Sequence, residues 1–501
     1  MKPLLNNEQI RAWDAFTQEH EPIASIDLME RAAQAACQWI MANFSTQHSM
    51  AILVGPGNNG GDGLAMASIL LQHGYTVSTF IVSSLSSNSD APEQLNRLNN
   101  LYPQSIFPLA NFNESMPYPI VIDALLGTGF NKNLEGELKN VVQHINNHQG
   151  HVISIDIPSG LHADAKEAPA LCVKANYTLS FQTWKQAFLL PETGNYCGKV
   201  IILPIGLSPQ FIPTDSGSFQ LLEEADVCSF YQARSRFAHK GHFGHGLLLA
   251  GAPGMLGAAL LAARGALRGG IGLLTVRLPE AEATQLALAL PEATTEAYEP
   301  MASMSFSNRY TAWAAGCGLS LQPAAQHALI NLLQQVNTPG IIDADALNIL
   351  ALNKNWWQHV PQGSLLTPHP GEFDRLFGTS NNHAERIEKA RDAAQKTGHY
   401  ILLKGAYSLL AEPNGQATFN ISGTPALAKG GSGDVLTGLL LALFAQYRNM
   451  RTAGLMGMYM HARAAELATQ KIATESLLAH ETADAFSAVF NELAHYKTAK
   501  G

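Results

Sequence analysis

The sequence predicts an α/β protein of two domains, each a mostly parallel β-sheet covered by helices on both faces. Three observations carry this. The chain has 501 residues, too many for one hydrophobic core. Short apolar runs ending at Gly, Asn or Asp alternate with helical windows, the pattern of strands buried on both faces. A stretch rich in Pro, Ser and Gly at 204–217 separates two such series. It places a linker at 208–220 and domains at 1–215 and 222–501.

In the first series, Met50 to Val54 reads as a buried strand, followed by a glycine-rich turn and a helix from Leu64 to His73. Tyr75 to Val82, Ile120 to Asp123, Val152 to Ile157, Tyr177 to Phe181 and Val200 to Leu203 are further strands, with a helical window at Glu135 to Ile145. The second series opens with a strand at Gly246 to Ala250 and an Ala-rich helix at Leu256 to Leu267. Strands are expected at Gly272 to Val276, Trp313 to Ala315, Gly340 to Ile342, Ser364 to Thr367 and Tyr400 to Leu403. Ser408 to Ala411 and Ala417 to Ile421 form a hairpin across Pro413-Asn414-Gly415, and the chain is mostly helical from Val435 to about His495.

Composition narrows the partners. Apolar residues make up 46% of the chain, ordinary for a globular protein. Lys and Arg number 31 against 40 Asp and Glu, a net charge of -9 without a basic block, so nucleic acid is not an expected partner. The five cysteines lie in no CxxC spacing and read as buried thiols in a reducing compartment. Met1 to Arg11 lacks the apolar core of a secretory signal, and Val435 to Phe444 is too short to span a bilayer. A cytoplasmic protein without a membrane partner is expected, and its apolar, Ala-rich second half suggests a homo-oligomer.

Three polar loops follow strands of the first series. Asn58, Asn59, Gly60, Gly61, Asp62 and Gly63 make an anion cradle at a helix start. Asp123 to Gly129 and Asp156 to Gly160 each put a carboxylate at a strand end beside glycine. In a parallel sheet all three reach one edge, where α/β ligands bind. Lys185 reads as a surface lysine first, and only second as a proton carrier.

The strongest signal of the second series is Gly430-Gly431-Ser432-Gly433-Asp434 opening an apolar helix. The amides of Gly431, Ser432 and Gly433 can meet one oxyanion, and Asp434 stands beside them as a base, an arrangement suited to phosphoryl transfer. Lys404, Gly405, Ala406, Tyr407 and Ser408 follow another strand as a nucleotide-phosphate clamp. Thr367 to Glu372 and Asp343 to Asn348 end two more. Glu372 reads equally as a metal-water ligand and as a first-turn acid. His239, His242 and His245 are not read as a metal tract.

The loops at Asn58 to Gly63, Asp123 to Gly129 and Asp156 to Gly160, with Leu28-Met29-Glu30 and Ile205-Gly206-Leu207, resemble the NAD(P)H-hydrate epimerase family. The resemblance implies a Rossmann-like three-layer sandwich. It implies a potassium ion held by Asn59, Asp123 and Ser159, consistent with oxygen ligands for a hard cation. It also implies substrate contacts from Asn58 to Asp62, from Gly127, Thr128, Gly129, Phe130, Asn131, Lys132 and Asn133, and from Asp156. The chemistry would interconvert the two C6 epimers of hydrated NADH or NADPH, with Asp123 as acid/base group or as cation ligand alone.

The GSGD turn, the KG loop and the TPHPGE run resemble the ribokinase superfamily, and within it the NAD(P)H-hydrate dehydratases. That resemblance covers nearly all of 225–495. It implies a ribokinase-like α/β/α fold and ADP as co-substrate, with nucleotide contacts from Lys404 to Ser408 and Gly433. Ala258, Gly318, His369 and Asp434 would contact the hydrated dinucleotide, and magnesium would assist. Cys317 stands where this family commonly has proline. A small-molecule kinase would share the GSGD turn and KG loop, but the TPHPGE run and the NNGGDG domain argue against it. A first half that binds without catalysing is the other rival.

Overall fold

The structure is a computed structural model that describes residues 1–130, 132–213, 217–298 and 309–500. Asn131, expected to touch substrate, lies outside the described residues. The chain divides into two compact units, Leu4–Gly217 with Asn382–Ala384, and Ser218–Asn381 with Glu385–Gly501 and the first three residues.

The N-terminal unit is built on seven parallel strands. Across the sheet they run Ile106–Pro108, Val77–Ile81, Met50–Val54, Ile120–Ala124, His151–Ile155, Tyr177–Phe181 and Lys199–Leu203. Chain order reverses between Met50–Val54 and Ile120–Ala124, which opens a crevice at their carboxyl ends. Both of these strands are buried throughout, as their unbroken apolar runs require.

The Asn58 to Gly63 stretch is helix rather than turn. The helix Asn58–Gln72 begins there, capped by Gly57. Close packing accounts for the glycines: a Cβ at Gly60 would lie 2.0 Å from the Gly55 carbonyl oxygen, and one at Gly63 would lie 2.6 Å from Ala124 Cβ. The helix therefore sits against the sheet with its N-terminus at the crevice.

The C-terminal unit has an eleven-stranded sheet. Seven strands are parallel, in the order Tyr400–Leu403, Leu365–Leu366, Ile341–Ile342, Ala312–Ala315, His245–Leu249, Leu273–Pro279 and Thr294–Tyr298. The expected hairpin forms from Leu409–Ala411 and Ala417–Asn420, antiparallel across the Pro413 turn. Beyond it lie Phe219–Leu222 and Lys2–Pro3. Phe219 and Gln220 thus lie in a strand where the linker was expected, and Met1–Pro3 belongs to this unit. Pro3 is tolerated because its strand is the sheet's edge.

The helices Ser432–Tyr447 and Leu256–Arg268 touch backbone to backbone. A Cβ at Gly438 would lie 1.8 Å from the Ala262 carbonyl oxygen, and one at Gly265 would lie 2.4 Å from that of Val435. Among the described residues, no helix is long and apolar enough to cross a membrane.

Candidate active sites

In the N-terminal unit a cavity of about 640 Å³ opens at the crevice. Asn58, Asn59 and Asp62 line it from the helix start, and Gly127, Thr128, Gly129 and Phe130 from the loop after Ile120–Ala124. Asp156 closes one side, and Arg11, Asp14 and Gln18 of the helix Asn7–His20 another. Lys132 and Asn133 do not line it. Asp156 has a left-handed backbone, with φ of 65°, as does Gln182, at 63°, beside it in the cavity wall. Such strain costs on the order of 1–3 kcal/mol for a residue with a side chain and persists where surrounding contacts enforce it. Here Phe181 N donates to Asp156 Oδ1 and Lys185 Nζ lies 2.8 Å from the same oxygen.

Lys185 is therefore not a surface lysine. It is 1% exposed and also donates to Ser180 Oγ at 2.5 Å. Its position four residues after the strand Tyr177–Phe181 turns it inward under Asp156.

Asp123 is fully buried and does not line the cavity. Ser154 Oγ, Ser159 Oγ, Ser159 N and Leu125 N all donate to its carboxylate. Burial nonetheless outweighs these donors and raises its pKa. Ser159 Oγ also accepts from Leu126 N at 2.8 Å. Asn59 is 7% exposed, and its amide oxygen and nitrogen both lack partners. It lies against the same loop, because a Cβ on Gly127 would be 3.6 Å from Asn59 Oδ1. An orphaned amide oxygen against the loop that Asp123 and Ser159 anchor is a donor of the hard kind that suits a potassium ion.

In the C-terminal unit three polar loops leave the carboxyl ends of the adjacent parallel strands Ile341–Ile342, Leu365–Leu366 and Tyr400–Leu403. Lys404 Nζ donates to Asp343 Oδ1 at 2.7 Å and lies 3.8 Å from Glu372 Oε2. Thr437 Oγ1 donates to Asp343 Oδ2 at 2.6 Å, tying the helix Ser432–Tyr447 to this pair. Gly433 faces them, since a Cβ there would lie 3.5 Å from Lys404 Nζ. Gly431 takes φ of 90°, and Ser432 opens the helix with Asp434 in its first turn. Gly318 adjoins Ala258, with 2.8 Å between a Cβ there and Ala258 Cβ. His369 is half-exposed and caps the helix Pro370–Phe377, while Glu372 accepts from His369 N at 2.8 Å. Gly405 and Ala406 are exposed; Tyr407 and Ser408 are partly so.

The segment 246–487 matches the family model described as NAD(P)H-hydrate dehydratase, and 25–187 that of the YjeF-related protein N-terminus. The bifunctional NAD(P)H-hydrate repair enzyme Nnr of Coxiella burnetii is 31% identical over 493 residues, 96% of this chain and 97% of that one. Its counterpart in Moorella thermoacetica is 31% identical over 503 residues, covering 96% and 95%. The chain belongs to the bifunctional NAD(P)H-hydrate repair enzyme family. Among solved structures, the ADP/ATP-dependent NAD(P)H-hydrate dehydratase of Bacillus subtilis, co-crystallised with ATP/Mg2+, is 34% identical. It covers 55% of this chain and 98% of its own, with a TM-score of 0.50. A ribokinase-like superfamily protein from Enterococcus faecalis, 20% identical, covers 57% of this chain and 99% of its own at TM-score 0.50 and shares the fold.

For a member of this family the C-terminal electrostatics are informative. Burial and the Asp343 charge push the Asp434 carboxyl up to about 6, although a Cys317 hydrogen bond and Lys404 pull it down. Asp343 is held below the usual carboxylate range, because Lys404 and Thr437 outweigh its burial. Sequence reasoning missed Asp343 as a site residue and Thr437 entirely. The DADALN loop carried the first signal, but no local pattern pairs positions 343, 404 and 437. The three histidines have local roles: His239 Nδ1 accepts from Gly241 N, His242 Nδ1 from His239 N, and His245 Nε2 meets Thr275 Oγ1. Among the described residues no group of three His, Cys, Asp or Glu side chains could hold a metal.

Proposed function

We propose that the N-terminal unit interconverts the R and S hydrates of NADH and NADPH, and that the C-terminal unit dehydrates the S hydrate with ADP, giving AMP and phosphate. The observation that carries the second step is Asp434 beside Gly433, over the Lys404–Asp343 pair. Asp434 takes the proton of the C6 hydroxyl as its oxygen attacks the β-phosphoryl group of ADP, and the bond to AMP breaks. The new bond joins that oxygen to phosphorus; the original C6–O bond then breaks with phosphate as leaving group, and loss of a C5 proton restores the dihydropyridine. The amides of Gly431, Ser432 and Gly433 face the charge that develops on the moving phosphoryl group. Lys404 to Ser408 hold the nucleotide, and Ala258, Gly318 and His369 the dinucleotide. Glu372 would hold magnesium through water, and the ion would supply neutralisation of phosphate charge.

In the N-terminal unit Asn59, Asp123 and Ser159 would hold potassium through their oxygens. Asp123 serves this role and not proton transfer, since it is absent from the cavity wall. The protein works in the cytoplasm as a homo-oligomer. The test is to incubate purified protein with both hydrate epimers and ADP while following dihydronicotinamide absorbance. Complete recovery is expected. Recovery of only the S fraction overturns the epimerase assignment, and accumulation of a phosphorylated hydrate overturns the dehydratase assignment.

A further inference from the structure

The epimerase cavity needs a proton carrier, and Asp123 does not reach it. The cavity wall carries three carboxylates, Asp14, Asp62 and Asp156, and one cation, Arg11. Asp156 is committed to Lys185 and Phe181 N. Asp14, on the helix Asn7–His20, is partly buried, and among the described residues no group donates a hydrogen bond to it. Arg11, one turn away, extends towards Gly129, where a Cβ would lie 3.1 Å from its Nη2.

We propose that Asp14 is the proton carrier of the epimerase reaction, a role that rests on the epimerase reading of this unit. Its free carboxyl faces the cavity that the orphaned Asn59 amide, the helix start and the Asp156 loop also line. Burial, then the Asp156 charge, push it up to about 7, while Lys185 pulls it down. That is the range in which one group both gives and takes a proton near neutrality. Asp62, by contrast, is pushed well above the usual range, by burial first and then by Asp156, Asp14 and Asp90.

In its acid form Asp14 gives its proton to the C6 hydroxyl. The C6–O bond breaks with both electrons on oxygen, which leaves as water, and the lone pair of the ring nitrogen forms a C6–N double bond. Water adds to the opposite face of C6 and the nitrogen regains its pair. The surplus proton returns through cavity water to the Asp14 carboxylate. The cation that forms at C6–N is faced by Asp156, which lowers its energy.

The test follows conversion of one purified epimer into the other by full-length protein, without ADP, between pH 5.5 and 8.5. Wild type should exceed the uncatalysed rate, with a break near pH 7. Asp14→Asn should lower kcat about 100-fold with KM little changed and lose the break. Asp14→Glu should recover part of the rate with the break displaced. Thermal melts check folding, and if Asp14→Asn melts early, Asp14→Glu carries the test: a displaced break supports the role, and an unmoved one overturns it. Asp14→Asn at the wild-type rate and pH profile overturns this proposal alone. Wild type no faster than the uncatalysed rate overturns the epimerase reading as well.

Discussion

Lys404 and Asp343, 61 positions apart in sequence, form an ion pair of 2.7 Å in which the carboxylate is 2% exposed. Removing one partner of a buried pair leaves an uncompensated charge. Lys404→Met is expected to lower stability by about 3 kcal/mol in urea denaturation at pH 7. It should also abolish the rise in melting temperature produced by ADP. A variant that keeps both wild-type stability and the ADP shift would show that the pair is dispensable.

Asp434 sets stability against activity. A carboxyl whose folded pKa lies above its unfolded value lends stability below the unfolded value and loses it as pH rises through the folded one. Here that window runs from about 4 to about 6. Asp434→Asn should therefore be more stable than wild type by on the order of 2 kcal/mol at pH 8, with the gap closing by pH 4. Denaturation at both pH values checks this. The same variant should lose ADP-dependent dehydration while still binding ADP. In wild type kcat/KM for dehydration should fall about tenfold per unit below pH 6, because the base must be ionised.

Potassium should reveal itself without any turnover. Ligand binding to the folded state alone raises stability by RT ln(1 + [L]/Kd). Replacing potassium by lithium at constant ionic strength should lower the melting temperature of the full-length protein's N-terminal unit by a few degrees. In Asn59→Ala the two salts should give the same value, since the orphaned amide oxygen is gone.

Lys185→Met should cost about 3 kcal/mol and most of the epimerase rate, because Asp156 keeps its left-handed backbone but loses its cation. Lys185→Arg should not restore the rate, as the planar fork does not match a site where Ser180 and Asp156 lie 2.5 and 2.8 Å from one nitrogen. Epimerisation assays beside urea denaturation separate the two effects.

Sites were legible where chemistry and chain punctuation coincide. The GSGD turn shows because small residues precede an apolar helix, and the loops at 343, 367 and 404 show because each ends a short apolar run. Lys185 was misread because its burial comes from a partner 29 positions upstream. Asp14 left no signal: its helix precedes the first strand of the pattern and the matched segment 25–187. Thr294–Tyr298 and Ile106–Pro108 escaped because outer strands, exposed in part, lack a continuous apolar run. Asn58 to Gly63 was read as a turn because glycine ordinarily breaks helices, whereas here the neighbouring backbone leaves no room for a side chain.

The contact between Leu256–Arg268 and Ser432–Tyr447 has a mechanical consequence. Gly265 and Gly438 admit no larger residue, so the helix bearing Ala258 and the helix bearing Asp434 are bolted into one rigid wall. Motion between substrate binding and release is therefore confined to other parts of the rim, such as the exposed Gly405–Ala406 tip and the half-exposed His369.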